Sequence, residues 1–101
     1  MNVSVIIPTL NEEKILPHLL DDFRNQTAKD FEVIVADAGS GDKTVEVAKA
    51  YKAQLVKGGL PAVGRNNGAK IARGEFLFFL DADVRFTERA DGVFAWICLG
   101  H

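Results

Sequence analysis

Cysteine is nearly absent: Cys98 is alone among 101 residues. An internal disulfide and a zinc site built on cysteines are therefore excluded. A lone thiol fits a reducing compartment, and the expected location is cytoplasmic. Long hydrophobic runs are missing too. The apolar stretch Val3 to Ile7 is closed by Pro8, too short for a signal peptide, and no segment approaches membrane-spanning length. Neither sign of charge dominates. Twelve basic and 14 acidic residues leave a formal net charge of −2 with no Lys/Arg run, which argues against a nucleic-acid partner. Internal repeats, linkers and low-complexity segments are not found. What is present is 48% hydrophobic and 26% charged residues, the composition of a single small globular domain over residues 1–101.

The apolar pattern alternates between two periods. "VSVII" (3–7) is a β-branched run that reads as a buried strand ended by Pro8. Ile15, Leu16, Leu19, Leu20 and Phe23 follow at helical spacing, and Pro17 suits a first turn, so that helix is predicted to begin near Leu16. "FEVIVA" (31–36) is a second strand. In "GSGD" (39–42), Ser40 or Asp42 is placed to cap a helix carrying Val45, Ala48 and Tyr51. A short strand "AQLV" (53–56), a helix from about Pro61 to Ala72 ended by Gly74, and a buried strand "EFLFFL" (75–80) complete the series. Gly64 and Gly68 are read as positions that let the third helix approach the sheet. The tail over 85–101 is atypical; Ala90, Val93, Phe94 and Ile97 carry helical spacing there.

Strands alternating with helices imply a mostly parallel sheet with helices on its faces, a Rossmann-like three-layer α/β/α fold. Ligands of such sheets sit beyond the carboxyl ends of the strands. Pro8, Thr9 and Asn11 follow strand one, Asp37, Gly39 and Ser40 follow strand two, and Asp81 and Asp83 follow strand four. Three loops thus deliver polar groups to one edge. Successive strand residues point to opposite sides, so Asp81 and Asp83 are expected to point the same way and Ala82 away. Two like charges on one side are relieved by a hard cation, and Mg²⁺ or Mn²⁺ binds through one or two carboxylates plus substrate phosphates. A solvated acidic turn is the plain alternative, since short motifs match often by chance. Alternatives hold for other residues as well. Asn11 and Glu12 would serve equally to cap and charge the first helix, Asp37 with Gly39 and Ser40 to form an ordinary turn, and Arg65 to lie on a solvated helix face. His18 reads as a surface residue, Phe94 and Trp96 as packing residues, and Cys98 as a buried thiol.

Taken in order, "VSVIIPTLNEE", "FEVIVADAGSGDKT" and "GRNNGAKIARGEFLFFLDADV" resemble the nucleotide-binding half of family 2 glycosyltransferases, which have the GT-A fold. The resemblance covers residues 3 to about 84. It implies a nucleotide-diphospho-sugar donor, a Mn²⁺ or Mg²⁺ cofactor, and a truncated GT-A domain that stops about halfway. By the same resemblance, Pro8, Thr9, Asn11 and Glu12 would line the base and ribose, with Ser40 in the same site. Asp37 would accept a hydrogen bond from the base, and Arg65 would lie near the diphosphate or sugar. Asp81 would contact ribose or metal, and Asp83 would be the principal metal ligand. The chain departs from the family at Ala38, where a second acid is common, and beyond Val84, where the pattern fades.

No catalytic residue is assigned. The general base of the inverting enzymes belongs to the second half of the domain, and Glu88 and Asp91 have no recognisable context. A haloacid-dehalogenase-like phosphatase is disfavoured because its Asp-x-Asp normally lies near the N-terminus. A nucleotidyltransferase would need a Gly-rich basic loop where this chain has "IIPTLNEE". The remaining alternative is a non-catalytic nucleotide-sugar-binding or interaction module. An uncovered edge beside the fourth strand, with apolar Phe94, Trp96, Ile97 and Leu99, predicts a homodimer.

Overall fold

A computed structural model describes residues 2–26 and 29–85. The expected tail helix, with Glu88, Asp91 and Cys98, lies outside them. The elements are β1 (Val3–Thr9), α1 (Leu16–Arg24), β2 (Phe31–Asp37), α2 (Thr44–Ala50), β3 (Gln54–Lys57), α3 (Pro61–Ile71) and β4 (Phe76–Phe79). All strand pairs are parallel, in the order β3-β2-β1-β4. The α/β class and every expected strand and helix up to residue 80 are borne out, with ends shifted by a residue or two.

Alternation along β1 builds the two faces. Val3, Val5 and Ile7 join Leu16, Leu19, Leu20 and Phe23 of α1, Ala48 of α2 and Val35 in one buried cluster. At about 1.5–3 kcal/mol per large apolar side chain, this layer dominates the stability. Ile6 faces the other way, toward α3. A Cβ on Gly68 would stand 2.6 Å from Ile6 Cγ2, and one on Gly64 would stand 3.2 Å from Ala36 Cβ. The close approach of α3 to the sheet is therefore bought by those two glycines.

Four expectations need correction. β1 does not stop at Pro8 but runs to Thr9, with Pro8 opposite Ala36 of β2. Asn2, just before β1, and Ile6 within it bond toward β4, accepting from Phe76 N–H and Leu80 N–H, while Thr9 O accepts from Ala38 N–H on the β2 side. β4 has ended by the level of Pro8, so the missing donor deprives no partner. Second, β4 is not a buried strand. Phe76, Leu77 and Phe79 are 46%, 39% and 45% exposed, because among the described residues β4 is an edge strand with a partner on one side only. Third, the strand ends at Phe79, so strand alternation does not govern Asp81 and Asp83. They belong to a turn closed by Val84 N–H donating to Asp81 O at 3.1 Å. Fourth, α3 stops at Ile71, before Gly74. Gly74 instead lets the turn into β4 press on β1: a Cβ there would lie 2.5 Å from Val3 C.

That turn is fastened by a buried polar cluster that the sequence does not announce. Ser4 Oγ donates to Glu32 Oε2 at 2.6 Å, Gly74 N–H donates to Ser4 Oγ at 2.8 Å, and Arg73 N–H donates to Glu32 Oε2 at 2.6 Å. Gln54 Nε2 donates to the other oxygen of Glu32. Burial pushes the Glu32 carboxyl up, but these donors hold it below the usual range. No helix among the described residues is long and apolar enough to cross a membrane.

Candidate functional site

The loops after β1 and β2 are knitted into one surface at the carboxyl edge of the sheet. Asp37, the last residue of β2, is its hub. Its Oδ1 accepts from Thr9 Oγ1 at 2.8 Å and Ser40 Oγ at 2.6 Å, and its Oδ2 accepts from the N–H of Ser40 at 2.8 Å and of Gly39 at 3.1 Å. Partial burial pushes this carboxyl up, but the Ser40, Thr9 and Gly39 donors outweigh it and hold the group below the ordinary aspartate range. Gly39 reaches its place with φ +96°, a region that suits a residue without Cβ.

Ser40 relays the network to the β1 loop. Its Oγ accepts from Asn11 N–H at 2.9 Å, and Asn11 Oδ1 accepts from Gly41 N–H at 2.8 Å. Asn11 sits at φ 54°, the left-handed region that Asn tolerates better than most residues. Ser40 therefore does not cap α2. Asp42 is not the N-cap either, that position being Lys43 without a side-chain cap bond, but it accepts from Thr44 N–H at 2.9 Å and from Glu13 N–H at 3.2 Å. Thr44 Oγ1 in turn accepts from Glu12 N–H at 2.8 Å. Thr44 escaped the reading of the sequence, although Asp-x-Thr opening a helix was a usable signal.

Asp81 and Asp83 project from the turn beyond β4 as exposed carboxylates, while Ala82 between them is buried in the core cluster. Glu12, in the loop network, lies within the electrostatic reach of this turn. Burial raises its proton affinity, the Leu10 N–H opposes this, and the negative charges of Asp83, Asp81 and Asp42 raise it further. Four carboxylates thus share one field. Pro8 is half-buried beneath, within 3.8 Å of where a Gly64 Cβ would stand. Arg65 is exposed on α3, and no described ion pair joins it to these acids. A hollow of about 290 Å³ opens beside the hub, lined by Asp37, Ala38, Gly39, Val45 and the end of β3. A larger cavity, about 370 Å³, lies at the opposite end of the sheet among Phe23, Arg24, Phe31 and Gln54. Size favours the latter, but the convergent polar loops are all at the carboxyl edge, where parallel sheets hold their ligands.

The family model for glycosyl transferase family 2 matches residues 4–93. The chain belongs to that family. Among its glycosyltransferase relatives, the Staphylococcus aureus poly(ribitol-phosphate) β-N-acetylglucosaminyltransferase TarP is 42% identical over 98 residues, covering 87% of this chain and 30% of TarP. The crystal structure of S. aureus TarS 1-349 in complex with UDP superposes with a TM-score of 0.76 at 36% identity, covering 87% of this chain and 29% of that one. The Pyrobaculum calidifontis mannosyltransferase PcManGT, solved with GDP-Man and Mn²⁺, gives a TM-score of 0.78 at 27% identity, covering 88% and 29%. The GT-A assignment of the fold is thereby established. This member of the glycosyltransferase family spans less than a third of the length of each of these three proteins.

Proposed function

We propose that the chain holds a nucleotide-diphospho-sugar donor, with Mn²⁺ or Mg²⁺, for sugar transfer to an acceptor hydroxyl. The observation that carries this reading is the convergence of the knitted Thr9–Asn11 and Asp37–Ser40 loops with the exposed Asp81 and Asp83 at one sheet edge. Its support is the relation to proteins solved with UDP and with GDP-Man and Mn²⁺. In this reading Pro8, Thr9, Asn11, Glu12, Asp37 and Ser40 form the base and ribose platform. Arg65 reaches the diphosphate or sugar from α3, and Asp81 stands at the ribose or the metal.

The donor chemistry fits a hard cation: Asp83 and Asp81 offer carboxylate oxygens only. Among the described residues no group of three or more His, Cys, Asp or Glu is gathered closely enough to hold an ion. The diphosphate would have to complete the set, as is usual for Mg²⁺ and Mn²⁺. When bound, the cation supplies Lewis-acid stabilisation of the departing diphosphate. The chain's own residues orient the donor and hold the base on a surface whose hydrogen bonds are already made.

Calorimetry with UDP in Mn²⁺ and in EDTA tests the reading. Asp83→Ala should abolish the gain in affinity that Mn²⁺ gives the native chain. An affinity indifferent to EDTA would sink the metal bridge. The runner-up, a donor-binding module without transfer activity, shares this site and predicts binding without turnover.

A further inference from the structure

The turn that carries Asp81 and Asp83 stands beyond the end of an edge strand, with no ladder to hold it. Among the described residues three anchors fix it. Upstream, Leu80 N–H donates to Ile6 O at 3.0 Å. In the middle, Ala82 is 2% exposed in the core cluster against α1. Downstream, Arg85 grips Asp22 of α1 with two parallel bonds: Nε to Oδ2 and Nη2 to Oδ1, each 2.9 Å. The Asp22 side chain is only 8% exposed, whereas that of Arg85 is 58% exposed. A forked guanidinium–carboxylate pair sets both distance and plane, which a single contact does not. Partial burial also protects it from screening.

We infer that the Asp22–Arg85 pair is a positioning clamp for the Asp81–Asp83 turn, and that divalent-cation use at this site depends on it. The inference rests on the proposed donor-site reading. Neither residue touches the nucleotide surface; they act through the turn. Asp81 and Asp83 are joined to α1 through Arg85, two residues beyond Asp83, so loss of the fork frees the downstream end of the turn. A cation held by two carboxylates needs both in register, and loss of a supporting partner behind metal ligands typically costs about 10–100-fold in metal affinity.

The test compares the native chain with Arg85→Gln, Arg85→Lys and Asp22→Asn. UDP is titrated in Mn²⁺ and in EDTA, and amide hydrogen exchange at Asp83 and Val84 is followed without nucleotide. Arg85→Gln is expected to weaken Mn²⁺-supported UDP binding about 10–100-fold, leave binding in EDTA unchanged, and accelerate exchange at Val84. Arg85→Lys, which keeps the charge but loses the fork, should fall between. Because Asp22 is buried, Arg85→Gln risks unfolding; Arg85→Lys and Asp22→Asn then carry the measurement. Equal losses in Mn²⁺ and EDTA, or a lowered melting temperature with unchanged Val84 exchange, would overturn the clamp. If the native chain shows no Mn²⁺-supported UDP binding, the donor-site reading has failed, and the exchange data decide the clamp by themselves.

Discussion

Asp37 accepts four hydrogen bonds, which fills about the four lone-pair positions a carboxylate offers. The residue that family resemblance assigns to the base is therefore also the keystone of the loops around it. A base N–H would share its oxygens with the Thr9 or Ser40 hydroxyl, both of which can rotate. Asp37→Asn turns one acceptor oxygen into a donor facing donors, and should cost about 1–3 kcal/mol of stability by denaturant unfolding at pH 7. It should also blunt discrimination between UDP and GDP more than it weakens Mn²⁺-supported diphosphate binding. The pH dependence has a definite sign. A carboxyl whose folded-state pKa is depressed stabilises the fold above its unfolded value and loses that contribution as pH falls through the folded value. The gap between native chain and variant should thus persist down to about pH 4 and close below it. At this scale the sequence announced the polar residues at the strand ends but not their partners. That Ser40 bonds to Asp37 and Asn11 rather than capping α2 depends on how two loops meet, which no local pattern encodes.

The elements were legible where both local signals and burial agreed. β1, β2 and α1 carry apolar residues at the right period and bury them. β4 failed that test: its apolar run is as strong as that of β1, yet its position at the sheet edge leaves Phe76, Leu77 and Phe79 partly exposed. A run of apolar residues marks a strand without saying how many neighbours it has. The exposed–buried–exposed order of Asp81, Ala82 and Asp83 is as expected, but a turn produces it, since strand alternation stops where the ladder stops. α3 shows the opposite case, a packing feature readable from glycine spacing. Gly68→Ala gains up to about 1 kcal/mol in helix propensity. The new Cβ would nonetheless sit 2.6 Å from Ile6 Cγ2, and overpacking of this kind costs about 1–3 kcal/mol. Net destabilisation is expected, with Gly64→Ala milder because its nearest contact is 3.2 Å. Thermal unfolding of the two variants measures the difference.

At the scale of the whole molecule, every residue proposed to hold the donor lies among the described residues, and none of these is assigned to acceptor binding or to a general base. The isolated chain should accordingly bind UDP-sugars in Mn²⁺ and transfer little sugar, as followed by UDP release. Among the described residues β4 borders a single strand, and its partly exposed Phe76 and Phe79 offer a surface for the expected homodimer. Phe79→Lys should shift light-scattering mass toward the monomer, and a clean monomer for the native chain at high concentration would remove the idea. The edge position of β4 has one more consequence, for the order of events in folding. β1, β2 and β3 pair through short crossovers, but β4 returns from the far end of the described chain to lie against β1. Closing so long a loop is entropically late, and a contact made late is absent from the rate-limiting ensemble. Weakening β4 should therefore hasten unfolding while leaving the refolding rate nearly untouched, whereas truncating Val5 or Val35 should slow refolding. The strand that leads into the Asp81–Asp83 turn would then be the last to arrive and the first to leave.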